Sequence, residues 1–215
     1  MVGVTDRFAE LRREYALGGL VEDDLGPDPF ATFQRWYDDA IAAALYEPNA
    51  MVVATASKGG VPSSRLVLLK QFSHQGWVFF TNLGSRKGVE LVANPRCALL
   101  FPWHPLERQV RVDGTASLLG REEVAAYFRT RPRGAQLGAH ASHQSSEVRS
   151  RQELDDAWAA ADAAYPDDVP VPDKWGGFRV EPEAVEFWQG RPGRMHDRLV
   201  YRRDGDRWSV HRLAP

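Results

Sequence analysis

The chain has 215 residues, 43% of them hydrophobic, which is enough to bury a sizeable core in one globular domain or at most two. Its 27 Lys and Arg against 29 Asp and Glu leave a formal net charge of −2, so no global field favours a nucleic-acid partner and any bound anion is expected to be small. The single cysteine, Cys97, excludes an internal disulfide and a cysteine-built metal site, and fits a reducing compartment.

The N-terminal stretch MVGVTDRFAELRREY becomes charged at once, unlike a signal sequence. No apolar run in the chain is long enough to cross a bilayer, so a soluble, cytoplasmic protein with no membrane partner is expected. Helical spacing runs over residues 5–15 and stops at Gly18-Gly19, followed by the acidic linker VEDDLGPDP. Residues 30–45 repeat Phe, Trp, Ile and Leu at three- and four-residue steps, the stripe of an amphipathic helix. The period then changes. MVVATAS, SRLVLLK, GWVFFT, CALLFPW, RQVRVDG and TASLLG read as short strands between turn signals, with one helix over residues 85–93 among them. Helices are expected again over 121–130, stopped by Pro132, and over 150–165. FRVEP, AVEFWQG, RLVYRR and RWSVHRL return to strands, with DGD as the last hairpin turn. So many strands with so few helices between them predict a mainly β fold with flanking helices, an antiparallel barrel or sandwich rather than βαβ units. Residues 1–28 read as an N-terminal helix and linker segment, and 29–215 as a single domain with helical insertions.

Several basic clusters are candidate anion sites, and each has a plainer reading. Arg65 and Lys70 bracket an apolar strand, where basic residues usually keep the strand end soluble. TNLGSRK offers Ser85, Arg86, Lys87 and the free amides of a helix start, a reasonable phosphate cradle without Walker or dinucleotide-loop spacing. Tyr127 and Arg131 are four apart and can share a helix face, although arginines at a helix end also simply favour its negative pole. In HQSSE, Gln144 and Ser145 are either loop residues or ligand contacts. In WQGRPGRMHDR, Arg194, His196 and Arg198 would share one face if the backbone were extended, beside Trp188. The six histidines are scattered with no HExxH, and no GxSxG appears, so neither a metal centre nor a serine hydrolase is supported.

Together LRREYALGGL, SRLVLLK, VFFTNLGSRKG, NPRCALLFPWHPLERQVRVDG, YFRTRPRGAQLGA, HQSSE and EFWQGRPGRMHDR resemble the pyridoxamine 5′-phosphate oxidase family over nearly the full chain. The resemblance implies a split β-barrel FMN-binding fold and a homodimer with active sites at the subunit interface. It implies oxidation of pyridoxine or pyridoxamine 5′-phosphate by dioxygen to pyridoxal 5′-phosphate. Hydrogen peroxide, and ammonia from the amine, are the co-products, and hydride passes from substrate C4′ to flavin N5. By position, FMN contacts look like Arg65, Val67, Leu68, Thr81, Ser85, Arg86, Lys87 and Gln109, with Gln144, Ser145, Trp188 and Arg198 resembling the other subunit's contribution. Substrate contacts look like Arg12, Tyr15, Lys70, Tyr127 and Arg131, with Arg194 and His196 beside the pyridine ring as the catalytic pair. Two departures stand out: Ala135 where the family places a phosphate-binding serine, and Phe80 where a tyrosine is common.

Overall fold

The computed structural model describes residues 14–215. Arg12 and almost all of the helix expected over residues 5–15 lie outside the described residues. Nine strands of the described residues form one sheet: β1 (Ala50–Ala56), β2 (Pro62–Leu68), β3 (Gln71–Ser73), β4 (Gly76–Asn82), β5 (Arg96–Trp103), β6 (Arg108–Leu118), β7 (Trp175–Gln189), β8 (Asp197–Asp204) and β9 (Arg207–Leu213). The order is β2-β1-β5-β6-β7-β4-β3, with β8 added on β7 and β9 on β8. Among the described residues five α-helices accompany it: α1 (Pro29–Ala42), α2 (Arg86–Ala93), α3 (Arg121–Arg129), α4 (Arg133–Ala141) and α5 (Arg151–Ala164). The mainly β class with flanking helices is as expected.

Contacts divide the chain into two compact units, the first made of Met1–Pro48, Leu100–Val112 and Ala184–Pro215, the second of Asn49–Leu99 and Asp113–Glu183. In the first, Asp28 caps α1 by accepting the Ala31 N–H, and Pro29 occupies the first turn, where its missing donor costs nothing. The helix stops three residues before the sequence pattern does, because Ala44 turns left-handed (φ 51°) and Leu45 N–H bonds back to the Ala40 carbonyl. Its apolar face delivers Phe33 edge-on to Phe101 at 4.9 Å and Trp36 edge-on to Phe187 at 5.1 Å. The β7–β8 register sets Trp188 opposite Arg198.

In the second unit, the β1–β2 hairpin pairs Val53 with Arg65 and Thr55 with Ser63, while β4 pairs with the first half of β7 and sets Phe79 opposite Phe178. Gly76 starts β4 at φ 126°, where a Cβ would lie 2.2 Å from the Val180 carbonyl oxygen; only glycine fits.

Three details differ from the sequence expectation. RQVRVDG and TASLLG are one strand, β6, because Gly114 marks close approach of two backbones rather than a turn: a Cβ there would lie 2.2 Å from the Glu181 carbonyl oxygen. FRVEP and AVEFWQG likewise run on as β7. Pro132 ends α3 but also stands at the N-cap of α4, a helix the sequence pattern missed.

Candidate active site

In the second unit, strand alternation and one helix start gather Arg65 and Arg86 around one carboxylate, with Lys87 on neutral oxygens nearby. Arg65 on β2 donates to the Val53 carbonyl (3.2 Å) and to the hydroxyls of Thr55 and Ser63, and its guanidinium lies 3.6 Å from Glu90. Glu90, on α2, is buried and accepts from Thr55 and Ser63 and from Arg86 Nε at 2.8 Å. Burial pushes the Glu90 carboxyl up, but the Ser63 and Thr55 hydroxyls and the Arg86 guanidinium together outweigh it and hold the pKa at about 2. Because the folded-state value lies below the ordinary 4.5, this group stabilises the fold fully above pH 4.5, and that contribution is lost as the pH falls toward about 2. Glu90→Gln is therefore expected to flatten the acid limb of the stability–pH curve in that window, as read by denaturant midpoints. An unchanged acid limb would count against the network.

Lys87 sits one residue inside α2, whose N-cap Ser85 accepts the Gly88 N–H. It is 7% exposed, and its ammonium donates to Gln144 Oε1 (3.1 Å), Thr81 Oγ1 (3.2 Å) and Ser85 Oγ (3.4 Å), all neutral oxygens. Burial first, and the Arg65 charge second, push its pKa down. A buried ammonium held only by neutral oxygens at a helix start is a site that a bound anion would stabilise. Ser145 accepts the Arg86 N–H at 3.2 Å. Gln144 and Ser145, expected as the other subunit's contribution, thus bond to Thr81, Arg86 and Lys87 of their own chain, because the loop after α4 returns to the start of α2.

A cavity of about 600 Å³ in the same unit is lined by Val67, Leu68, Lys70, Thr81, Lys87, Tyr127, Thr130, Arg131, Ala135 and Gln144, among others. Lys70 is exposed. Tyr127 stacks on Phe80 with ring centroids 3.9 Å apart and planes 11° from parallel, so the phenylalanine at position 80 serves as a packing platform. Arg131 lies 4.0 Å over the Trp175 ring, and burial lowers its pKa. Its Nη1 is buried with no hydrogen-bond partner among the described residues. Ala135 leaves the wall without a hydroxyl at that position, while Thr130, also on the wall, donates to the Tyr127 carbonyl at 2.8 Å.

The first unit carries the remaining described candidates. Arg198 forms a two-pronged pair with buried Glu186, both contacts 3.0 Å, and donates to the Ala214 carbonyl. Glu186 also takes Arg111 at 3.1 Å. Gln109 is half-buried on β6. His196 packs 4.7 Å from Trp188, and Tyr15 meets both rings edge-on. His196 Nδ1 accepts the Arg191 N–H at 3.1 Å, which leaves the ring proton on Nε2, free to donate. Arg194 is exposed. The shared face suggested for Arg194, His196 and Arg198 does not form, because Pro192–Arg194 is a 3-10 turn and Gly193 and Arg194 are both left-handed (φ 62°). The sequence reading also passed over Glu90 and Glu186 and left the role of Asp197 open. Only the Arg86–Glu90 spacing of four residues carried a local signal for any of them.

The strand order, the flanking helices and the basic clusters belong to the FMN-binding split β-barrel class. A Nostoc punctiforme FMN-binding protein related to pyridoxamine 5′-phosphate oxidase shares this fold at a TM-score of 0.71 and 16% identity, over 89% of this chain and 100% of that one. The pyridoxamine 5′-phosphate oxidase profile matches residues 37–189, and that of the pyridoxine 5′-phosphate oxidase C-terminal dimerisation region matches 175–215. The pyridoxine/pyridoxamine 5′-phosphate oxidase of a Nocardioides species is 60% identical over 208 residues, 97% of this chain and 98% of its own. That of Rubrobacter xylanophilus is 55% identical over 214 residues, 99% of each chain. The chain belongs to the pyridoxamine 5′-phosphate oxidase family. Among solved structures, PhzG from Burkholderia lata in complex with tetrahydrophenazine-1-carboxylic acid aligns at a TM-score of 0.86 and 33% identity, over 91% of this chain and 98% of that one. Among the described residues, no helix is long and apolar enough to cross a membrane.

Proposed function

We propose that the chain is an FMN-dependent pyridoxal 5′-phosphate synthase, acting on pyridoxamine and pyridoxine 5′-phosphates as a cytoplasmic homodimer with sites at the subunit interface. One observation carries the choice of substrate: Lys70, Tyr127 and Arg131, a phosphate-type donor set, line one cavity with Lys87, Thr81 and Gln144. The fold likeness to PhzG does not choose it, since the ligand in that structure has no phosphate.

The residues present fit FMN. Arg65, Arg86 and Lys87 outnumber their one carboxylate, Glu90, and Lys87 is buried on neutral oxygens, which matches a phosphate monoester. Thr81, Ser85 and the Gln144–Ser145 loop complete the cradle; Val67, Leu68 and Gln109 are assigned to the ring, and Trp188 and Arg198 to the flavin of the other subunit. When bound, FMN would supply the two-electron acceptor for the substrate C4′ carbon, with dioxygen as the final oxidant and hydrogen peroxide as its product. The chain's part is placement and charge. Lys70, Tyr127 and Arg131 hold the substrate phosphate, so binding energy from a remote group orients C4′. Arg194 supplies positive charge and orientation beside the pyridine ring. His196 donates through Nε2 to a ring substituent, with Arg12 and Tyr15 covering the substrate.

Oxygen uptake by FMN-loaded protein checks this reading. Pyridoxamine or pyridoxine 5′-phosphate is expected to be oxidised with kcat/KM about 100-fold or more above that of unphosphorylated pyridoxine, the loss expected from removing several charge-assisted bonds. Equal rates with and without the phosphate would remove the clamp from the account.

A further inference from the structure

One buried carboxylate of the first unit has no part in the scheme above. Glu107 follows the short 3-10 helix His104–Leu106 in a left-handed conformation (φ 53°) and is 9% exposed. That conformation strains a non-glycine residue, so its surroundings must fix it. The Glu107 carbonyl accepts the Gly190 N–H at 2.7 Å and Gln189 Nε2 at 3.2 Å. Its side chain turns the other way: Oε2 accepts two successive backbone N–H groups, those of Ala16 (2.8 Å) and Leu17 (2.9 Å).

These amides belong to a segment without helix or strand of its own, so no ladder satisfies them. Tyr15 is the residue just before them, and its ring packs 5.8 Å from Trp188 and 5.6 Å from His196. Gly190 makes room for this arrangement, since a Cβ there would lie 2.8 Å from Tyr15 Cγ and 3.1 Å from Glu107 Cβ. Farther along, Asp197 Oδ2 accepts the Leu20 N–H at 3.0 Å, and Arg212 donates to the Leu20 carbonyl at 3.1 Å. Two carboxylates therefore strap residues 15–20 to the first unit, and the one nearer Tyr15 is Glu107.

We propose that Glu107 is a positioning residue: by holding the Ala16 and Leu17 amides it fixes Tyr15 against Trp188 and His196, and so sets how tightly the phosphorylated vitamer is retained without touching it. The step from Tyr15 to the vitamer rests on the functional reading above. The anchoring itself rests on the geometry alone.

The test compares Glu107→Ala, Glu107→Gln, Tyr15→Ala and the double variant Glu107→Ala/Tyr15→Ala in FMN-loaded protein. In Glu107→Ala, hydrogen exchange at the Ala16 and Leu17 amides is expected to accelerate about tenfold or more, the loss of charge-assisted bonds to both. KM for pyridoxamine 5′-phosphate is expected to rise about tenfold with kcat within about twofold, because uniform binding is lost. Glu107→Gln keeps an acceptor oxygen and is expected to restore most of both. The double variant is expected to be no worse than Tyr15→Ala, since Glu107 acts through Tyr15. Unchanged amide exchange, faster exchange with an unchanged KM, or additive single effects would each overturn the proposal. If wild-type protein turned over neither vitamer, the functional reading would fall, and amide exchange with a pyridoxal 5′-phosphate binding titration would decide on Glu107.

Discussion

Lys87→Met is expected to raise the FMN dissociation constant roughly 30- to 1000-fold, equivalent to about 2–4 kcal/mol, while leaving the protein without FMN as stable as wild type or more so. The opposite signs follow from the same burial. Lys87 is 7% exposed, and among the described residues its ammonium meets only neutral oxygens of Thr81, Ser85 and Gln144, so without an anion it is an uncompensated buried charge. Methionine keeps the volume of the stem and removes the charge. No carboxylate loses a direct partner, since Glu90 is held by Arg86, Arg65, Thr55 and Ser63. Fluorescence titration with FMN and thermal unfolding without it read the two halves separately. An unchanged FMN affinity would remove Lys87 from the phosphate cradle.

Arg194→Gly is expected to lower kcat by about 100-fold, close to 2.7 kcal/mol, at full FMN loading. The guanidinium is the charge assigned beside the reacting ring, and its loss falls on turnover because the charge matters most as hydride leaves C4′. Glycine is the informative substitution. Arg194 stands at φ 62°, a conformation that costs a side-chain-bearing residue about 1 kcal/mol and glycine almost nothing, so stability is expected to hold while activity falls. Strain retained at Arg194 fits a residue kept for function. Turnover within about threefold of wild type at full FMN occupancy would contradict the assignment.

Strand alternation and helix-start chemistry made much of the second unit's cluster readable. SRLVLLK placed Arg65 on a strand, and Ser85 caps the helix that carries Arg86 and Lys87. Their common partner was not readable. Glu90 looks like half of an ordinary surface helix pair with Arg86 until the β1–β2 hairpin brings Thr55 and Ser63 over it, a long-range pairing that no local pattern encodes. Gly114 and Pro132 misled for a related reason. Each was read as punctuation, whereas Gly114 is a contact between backbones and Pro132 begins a helix as well as ending one. In WQGRPGRMHDR an extended backbone would align Arg194 with His196, but two left-handed residues, Gly193 and Arg194, break that alternation. Asp197 in the same stretch accepts from Leu20, far away in sequence, and from Arg212 on β9.

The most direct test of the central claim is a single turnover without oxygen. FMN-loaded protein mixed anaerobically with pyridoxamine 5′-phosphate is expected to lose its oxidised-flavin absorbance and to form pyridoxal 5′-phosphate in equal amount to the flavin, with the absorbance returning when air is admitted. Flavin absorbance that stays unchanged with saturating substrate, or that falls without formation of the aldehyde, would contradict the account.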